Sequence, residues 1–146
     1  MAAVISFWVC FYAIKKALTG ISTFISVVYP LIILSVILIQ GSVYWQILLK
    51  RISSPNYAKG HTGKIYRFLK AADVILLCGG LFAIPICSDS AAAVFLSIFV
   101  WAFAVTEWVN YYIIRLSYGY DPMILLRHIK NKTLKKSRLA REIADR

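Results

Sequence analysis

The sequence has few acidic residues and few residues of the kinds that build metal and catalytic sites. Six Asp and Glu stand against 17 Lys and Arg, with two His and three Cys. His61 and His128 are far apart in the chain, and the cysteines lie in or beside apolar runs, where Cys is usually a small buried hydrophobe. This distribution provides neither a closely spaced zinc site nor a Cys–His pair. We expect no metal, no cofactor and no catalytic residues.

Long polar stretches are also scarce, which argues against a soluble domain. Hydrophobic residues make up 60% of the chain, whereas roughly 45–50% is usual for soluble proteins. The stretch 91–120 begins with an uncharged apolar run, then carries Glu107 and ends among Trp, Tyr and Arg residues. An apolar run of this length that closes on aromatic and basic residues is typical of a membrane-spanning helix.

The hydropathy pattern predicts an all-α integral membrane protein with four transmembrane helices in two antiparallel hairpins. The expected spans are residues 2–18, 21–49, 71–87 and 91–115. A loop at 50–70, which becomes helical from Ile65, joins the hairpins. Residues 1–120 form the transmembrane domain, and residues 121–146 form a basic tail with an amphipathic helix.

The first apolar segment allows two interpretations. Residues 2–14 are short for a span, but continuation through Leu18 makes the helix just long enough to cross, with Lys15 and Lys16 at its end. The alternative is a helix that lies in the headgroup region. Tight turns are expected at Thr19–Gly20 and at 88–90.

The basic residues predict the orientation. Six lie within 50–70 and nine lie from Arg115 onward, which leaves only Lys15 and Lys16 elsewhere. Because short cytoplasmic segments are enriched in Lys and Arg, the central loop and the tail are predicted to be cytoplasmic. With four crossings both termini are inside, and the plasma (inner) membrane is the expected location.

Two stripes of small and polar residues, spaced by seven, predict that the third and fourth helices pack together. The stripes are Asp73, Gly80 and Cys87 on the third helix, and Ser97, Ala104 and Tyr111 on the fourth.

Four polar residues within or beside the spans are candidates for an intramembrane function. Polar and ionisable groups inside a membrane are costly, and they often have a functional role. The four residues are Asp73, Glu107, Gln40 and Asn110. In the alternative interpretation Asp73 caps the third helix, Glu107 pairs with Arg67, Lys70 or Arg115, and the amides form interhelical hydrogen bonds. The antiparallel threading places the two acids at similar depth, where they can face each other.

The basic loop and tail are predicted to contact lipid headgroups or a partner. The residues are Lys64, Arg67, Lys70, Arg127, Lys130, Lys132, Lys135, Lys136, Arg138 and Arg141. Their position beside membrane segments favours an anionic leaflet over nucleic acid. Leu139 and Ile143 share one helical face, which could dock on a partner or a second copy; alternatively the charges only fix topology.

These observations favour a non-enzymatic membrane protein that acts by association, as an accessory subunit or an immunity, regulatory or defence factor. Its partner is a second copy or another membrane protein. An alternative is a small oligomeric pore or transporter that uses Asp73 and Glu107. The least favoured hypothesis is a lipid-modifying enzyme that uses His61 and the acids on phosphate-bearing headgroups, since residues 60–64 lack the pattern of a phosphate-binding loop.

Overall fold

The computed structural model describes residues 2–14, 21–54, 57–58, 61–86, 91–114 and 136–144. Over these ranges the chain forms five α-helices: α1 (Ala2–Ile14), α2 (Ile21–Ser53), α3 (His61–Ile86), α4 (Ala91–Tyr112) and α5 (Arg138–Ala144). Among the described residues the only β-type pairing is an isolated bridge between Ile114 and Lys136. The predicted all-α class is confirmed.

Three helices are long and apolar enough to cross a membrane: Phe24–Ser53 within α2, together with α3 and α4. The 13 residues of α1 rise about 20 Å, less than the roughly 30 Å hydrocarbon core of a bilayer. The predicted continuation of α1 to Leu18 and both tight turns lie outside the described residues. The structure therefore supports a membrane protein with three spanning helices, and a fourth crossing stays a prediction.

The connection between α2 and α3 is shorter than the predicted loop at 50–70. α2 continues to Ser53, and α3 begins at His61, four residues before Ile65. Thr62 and Tyr66 are both buried, because residues four apart lie on one face of a helix. Although this segment is polar in composition, it forms an amphipathic helix, and the inner face of that helix packs against the rest of the protein. We call the end of the bundle that carries this connection the loop end.

The helix that packs most extensively against α2 is α4, not its neighbour in the chain. The buried face of α4 includes Ala93, Ser97 and Ala104, and the two alanines share a core cluster with Leu34 and Ile37 of α2. Small residues at this spacing allow two helices to approach closely. The predicted pairing of the third and fourth helices is present, but the small stripe of α4 mainly serves its contact with α2.

Each pair of long helices is joined by an aromatic ring that occupies the space beside a glycine. The pairs are Gly41 with Tyr111, Gly79 with Tyr29, and Gly80 with Trp101. The Tyr29 hydroxyl donates to the Leu76 carbonyl, and Trp101 Nε1 donates to the Leu77 carbonyl, both at 3.0 Å. The glycines leave these carbonyls of the preceding turn open to a neighbouring helix, so the rings supply both packing and hydrogen bonds.

We expect Gly80→Leu to destabilise the bundle, because an ideal Cβ at Gly80 lies 2.7 Å from Trp101 Cδ1. Overpacking of this kind lowers the free energy of unfolding by about 1–3 kcal/mol. The melting temperature of the purified protein in detergent measures the effect. Cys78→Leu is the matched control, since Cys78 lies on the exposed side of α3; equal melting temperatures for the two variants would contradict the role of the glycine.

Candidate functional site

The short helix α5 is attached to the end of α4 through Ser137. The Ser137 backbone N–H donates to the Ile113 carbonyl at 3.1 Å, and its hydroxyl donates to the Tyr111 carbonyl at 2.6 Å. The same hydroxyl oxygen accepts a hydrogen bond from the Ala140 N–H at 2.9 Å and so caps α5. Carbonyls at a helix C-terminus lack partners within the helix. Ser137 therefore completes α4 and fixes where α5 begins.

The apolar face of α5 is buried against the bundle. Leu139 is 2% exposed and packs in the tyrosine cluster formed by Tyr44, Tyr66 and Tyr112, with Ile143 at its edge. The ring centroids of Tyr44 and Tyr66 are 5.5 Å apart in an edge-on arrangement. The sequence left open whether this face binds a membrane, a partner or a second copy. In the structure it docks on the protein's own loop end.

A salt bridge between Arg51 of α2 and Glu142 of α5 holds the docked helix. The guanidinium donates two parallel hydrogen bonds, from Nη2 to Oε1 at 2.8 Å and from Nη1 to Oε2 at 2.9 Å. The Tyr44 hydroxyl donates to Oε2 at 3.2 Å. The side chains of Arg51 and Glu142 are only 15% and 21% exposed. Bidentate pairs of this kind combine charge with fixed geometry.

Arg51 also organises the connection between α2 and α3. Its Nε donates to the Tyr57 carbonyl and its Nη2 donates to the Thr62 hydroxyl oxygen, both at 3.0 Å. The Thr62 hydroxyl donates in turn to the Ala58 carbonyl at 2.8 Å, and Ala58 adopts a left-handed backbone with φ of 54°. One side chain thus links the end of α2, the loop, the start of α3 and α5.

The first turns of α3 complete the seat of α5. A Cβ atom at Gly63 would lie 3.0 Å from the Glu142 carbonyl oxygen, so the absence of a side chain there lets the two backbones approach. Arg67 Nη2 donates to the Ile143 carbonyl at 2.6 Å, which satisfies a carbonyl near the C-terminus of α5. Gly63 falls in the part of 50–70 that was predicted as loop, but it lies within α3, where it makes room for α5.

A second polar group, the polar layer, lies about three turns before Arg51 along α2, at Gln40. The Gln40 side-chain amide donates to Asp73 Oδ1 at 3.0 Å, and its Oε1 accepts a hydrogen bond from the Tyr112 hydroxyl at 2.7 Å. The Tyr66 hydroxyl donates to the Gln40 backbone carbonyl at 2.8 Å. These bonds join α2, α3 and α4 in the interior of the bundle.

Asp73 does not cap α3, as one interpretation of the sequence proposed. It lies near the middle of that helix and is 1% exposed. The prediction failed because the helix begins at His61, well before the residues assigned to the third span. Asp73 Oδ2 is buried and receives no hydrogen bond from the described residues. The carboxyl group is thus enclosed by the chain itself, with Gln40 as its donor.

Glu107 and Asn110 form a separate pair on α4. Both are half-buried, and the Asn110 side chain hydrogen-bonds to the Glu107 carboxyl group. The suggested partners have other contacts: Arg67 donates to the Ile143 carbonyl, and Lys70 lies over the Trp108 ring. Within the described ranges Glu107 makes no salt bridge. Arg115 lies outside those ranges. The two acids that the sequence placed at similar depth therefore have different partners.

The predicted basic residues that fall in the described part of the chain gather at the loop end. Lys70 lies over the Trp108 ring, with its Nζ 5.9 Å from the centroid. The others are exposed and form what we call the basic face: Lys64, Arg67, Lys136, Arg138 and Arg141. Arg127, Lys130, Lys132 and Lys135 lie outside the described residues.

The described residues contain no group of three or more His, Cys, Asp or Glu side chains placed to hold a metal ion. His61 is exposed at the first position of α3, and Cys10 and Cys78 are free thiols. Comparisons with protein-family models, curated proteins and solved structures found no match to this chain.

Sequence reasoning missed the residues that hold α5 in place. Arg51 was only counted among the basic residues within 50–70, and Glu142 was given no role. One signal was available. Leu139, Glu142 and Ile143 are spaced three and four apart, so they share a helical face. An acid beside two apolar residues on that face predicts a buried cationic partner.

We expect Gln40→Leu to lower the free energy of unfolding by about 1–3 kcal/mol, because it leaves buried oxygen and hydroxyl groups of Asp73 and Tyr112 unpaired. Reversible unfolding in detergent micelles measures the loss. Gln46→Leu is the matched control, since Gln46 is exposed on the same helix. A double-mutant cycle with Asp73→Leu should give a coupling of about 0.6–1.7 kcal/mol; no coupling would argue against the hydrogen bond.

We expect Glu142→Gln to release α5, because Arg51 then keeps its charge in a partly buried site without a counter-ion. Hydrogen bonds to charged groups contribute about 1.5–3 kcal/mol each, so trypsin cleavage after Arg138 and Arg141 should accelerate about tenfold or more. Limited proteolysis followed by mass spectrometry measures this rate. Glu107→Gln, which removes an acid that makes no salt bridge among the described residues, should cleave like the unmodified protein. Unchanged cleavage of Glu142→Gln would show that the salt bridge does not hold the helix.

Proposed function

We propose that the chain is a non-enzymatic membrane protein that acts by association, as an accessory subunit or a regulatory, immunity or defence factor. The observation that carries this proposal is the docking of α5. Burial of Leu139 and the salt bridge of Glu142 hold that helix in one orientation. Its cations, together with those at the start of α3, then form a fixed, exposed basic face.

A fixed array of cations suits recognition better than a mobile tail does. A disordered segment loses conformational entropy when it binds, whereas α5 is already ordered by the bundle. Arg is also enriched in protein interfaces, where its guanidinium forms several directed hydrogen bonds. The partner that this face fits is acidic: the anionic leaflet of the membrane, an acidic segment of another membrane protein, or an acidic surface of a second copy.

The loop end is proposed to face the cytoplasm of a plasma (inner) membrane. Six basic residues lie within 50–70, the part of the sequence that contains the connection at this end, and nine lie from Arg115 onward. Cytoplasmic segments carry such an excess of Lys and Arg. If α1 also crosses, both termini are cytoplasmic.

The oligomeric pore has less support. Asp73 is 1% exposed and hydrogen-bonded to Gln40 of the same chain, so it does not lie on a surface that several copies could share. Glu107 and Asn110 are half-buried and bonded to each other. Polar residues engaged in this way favour a structural role over the lining of an ion path.

The experiment is co-purification of the tagged full-length protein from its native membrane in mild detergent, followed by native mass spectrometry. We expect a stoichiometric partner or a homo-oligomer. The double variant Lys64→Glu, Arg141→Glu should reduce its recovery at least about tenfold, since like charges across an interface are strongly unfavourable. Both side chains are exposed, so the variant should fold.

Asp73→Asn and Glu107→Gln are the controls, and they should retain the partner. The opposite pattern would contradict the proposal: unchanged association after charge reversal, with ion flux into liposomes that is lost on neutralising Asp73 or Glu107. That result would establish the pore.

A further inference from the structure

A cavity of about 240 Å³ opens between α2, α4 and α5 at the loop end. Trp45 and Leu48 of α2 and the Tyr111 ring of α4 supply its apolar lining, while Arg138 and Asn110 supply polar groups. The cavity thus has an apolar and a cationic side. Its lining includes neither the salt-bridged pair Arg51 and Glu142 nor Gln40 of the polar layer.

Arg138 is the charged lining group, and it remains available to a ligand. The hydroxyl of Ser137, which also lines the cavity, already donates to the Tyr111 carbonyl and accepts from Ala140. Asn110 is bonded to Glu107, and the Tyr44 hydroxyl is bonded to Glu142. Arg138 is exposed, and within the described part of the chain it forms no salt bridge.

The depth of the cavity matches the headgroup level of a bilayer. Tyr44 and Trp45 precede Lys50 and Arg51 on α2, and an aromatic pair followed by cations marks a membrane–water boundary. A lipid at this level presents its phosphate to the cationic side of the cavity and the first part of its acyl chain to the apolar side. Basic pockets between transmembrane helices bind anionic headgroups in this manner.

We propose that this cavity is a binding site for one anionic phospholipid, with its phosphate against Arg138 and an acyl chain along Trp45 and Leu48. The volume is below the roughly 300–1,000 Å³ of a pocket that encloses a whole ligand, so the site holds part of a lipid whose remainder stays in the bilayer. The positive charge of Arg138 favours an anionic headgroup. Glu107 does not line the cavity, and its carboxyl group is engaged by Asn110. This inference does not depend on the proposed protein partner.

The test is native mass spectrometry of the delipidated full-length protein titrated with phosphatidylglycerol or with phosphatidylcholine of the same acyl chains. We expect one phosphatidylglycerol to bind in preference. Arg138→Gln should weaken its binding about fivefold, the effect of one cation near an anionic lipid. Arg141→Gln is the matched control: it removes a neighbouring exposed charge that does not line the cavity, and it should change binding less than twofold.

A second variant, Leu48→Trp, tests the apolar side by filling the cavity, and it should also weaken binding. Three results would overturn the proposal. The first is equal binding of the two lipids, and the second is an equal loss with Arg138→Gln and Arg141→Gln, which would indicate a diffuse surface charge. The third is undiminished binding in Leu48→Trp together with equal binding of glycerophosphoglycerol, which would indicate a phosphate site that ignores the acyl chain.

Discussion

The salt bridge between Arg51 and Glu142 is the interaction on which the loop end depends. An arginine that is mostly removed from solvent needs a counter-ion and hydrogen-bond acceptors, and the bidentate carboxylate of Glu142 with the oxygens around it provides both. The pair has to come from distant parts of the chain, since α2 and α5 are separated by two spanning helices. It accompanies the packing of Leu139 in the tyrosine cluster and of the first turns of α3 against α5. The position of the exposed cations follows from this one pairing.

Within the bundle, different forces hold the helices together. Lipid is as apolar as the side chains it replaces, so burial of apolar surface does little to associate helices in a membrane, and close packing with interhelical hydrogen bonds takes over. Gly79 and Gly80 allow aromatic rings to reach backbone carbonyls, and Gln40 bonds to both neighbouring helices. The outward faces of α3 and α4 remain covered with large apolar residues such as Ile75 and Phe95, as a lipid environment requires. The same chain thus uses small and polar residues inside and large apolar residues outside.

The class of protein and the position of the long helices could be predicted from hydropathy, because a bilayer imposes long uncharged runs that stand out in any sequence. The ends of these helices were predicted less well. Residues 61–64 were predicted as loop because their composition is polar. They are helical because the inner face of α3 packs on α5, and local composition does not reveal that partner. The preference of α2 for α4, and the pairing of Asp73 with Gln40, depend on side chains that meet only after the helices assemble. The apolar face of Leu139 and Ile143 could be predicted from its helical spacing, but the role of Glu142 on the same face was missed.

The distribution of charge connects the fold to the proposed function. Each acid that the structure describes is engaged within the chain: Asp73 by an amide, Glu107 by an amide, and Glu142 by Arg51. The basic side chains at the loop end are mostly exposed, and among the described residues only Arg51 is paired with a carboxylate. The acids therefore contribute to holding the molecule together, while a surplus of positive charge is left at the surface. A surface of this kind raises the local concentration of anionic groups and steers acidic partners toward it. Because α5 is docked, that positive charge is held at the loop end, and we propose that an anionic lipid or the acidic face of another membrane protein meets it there.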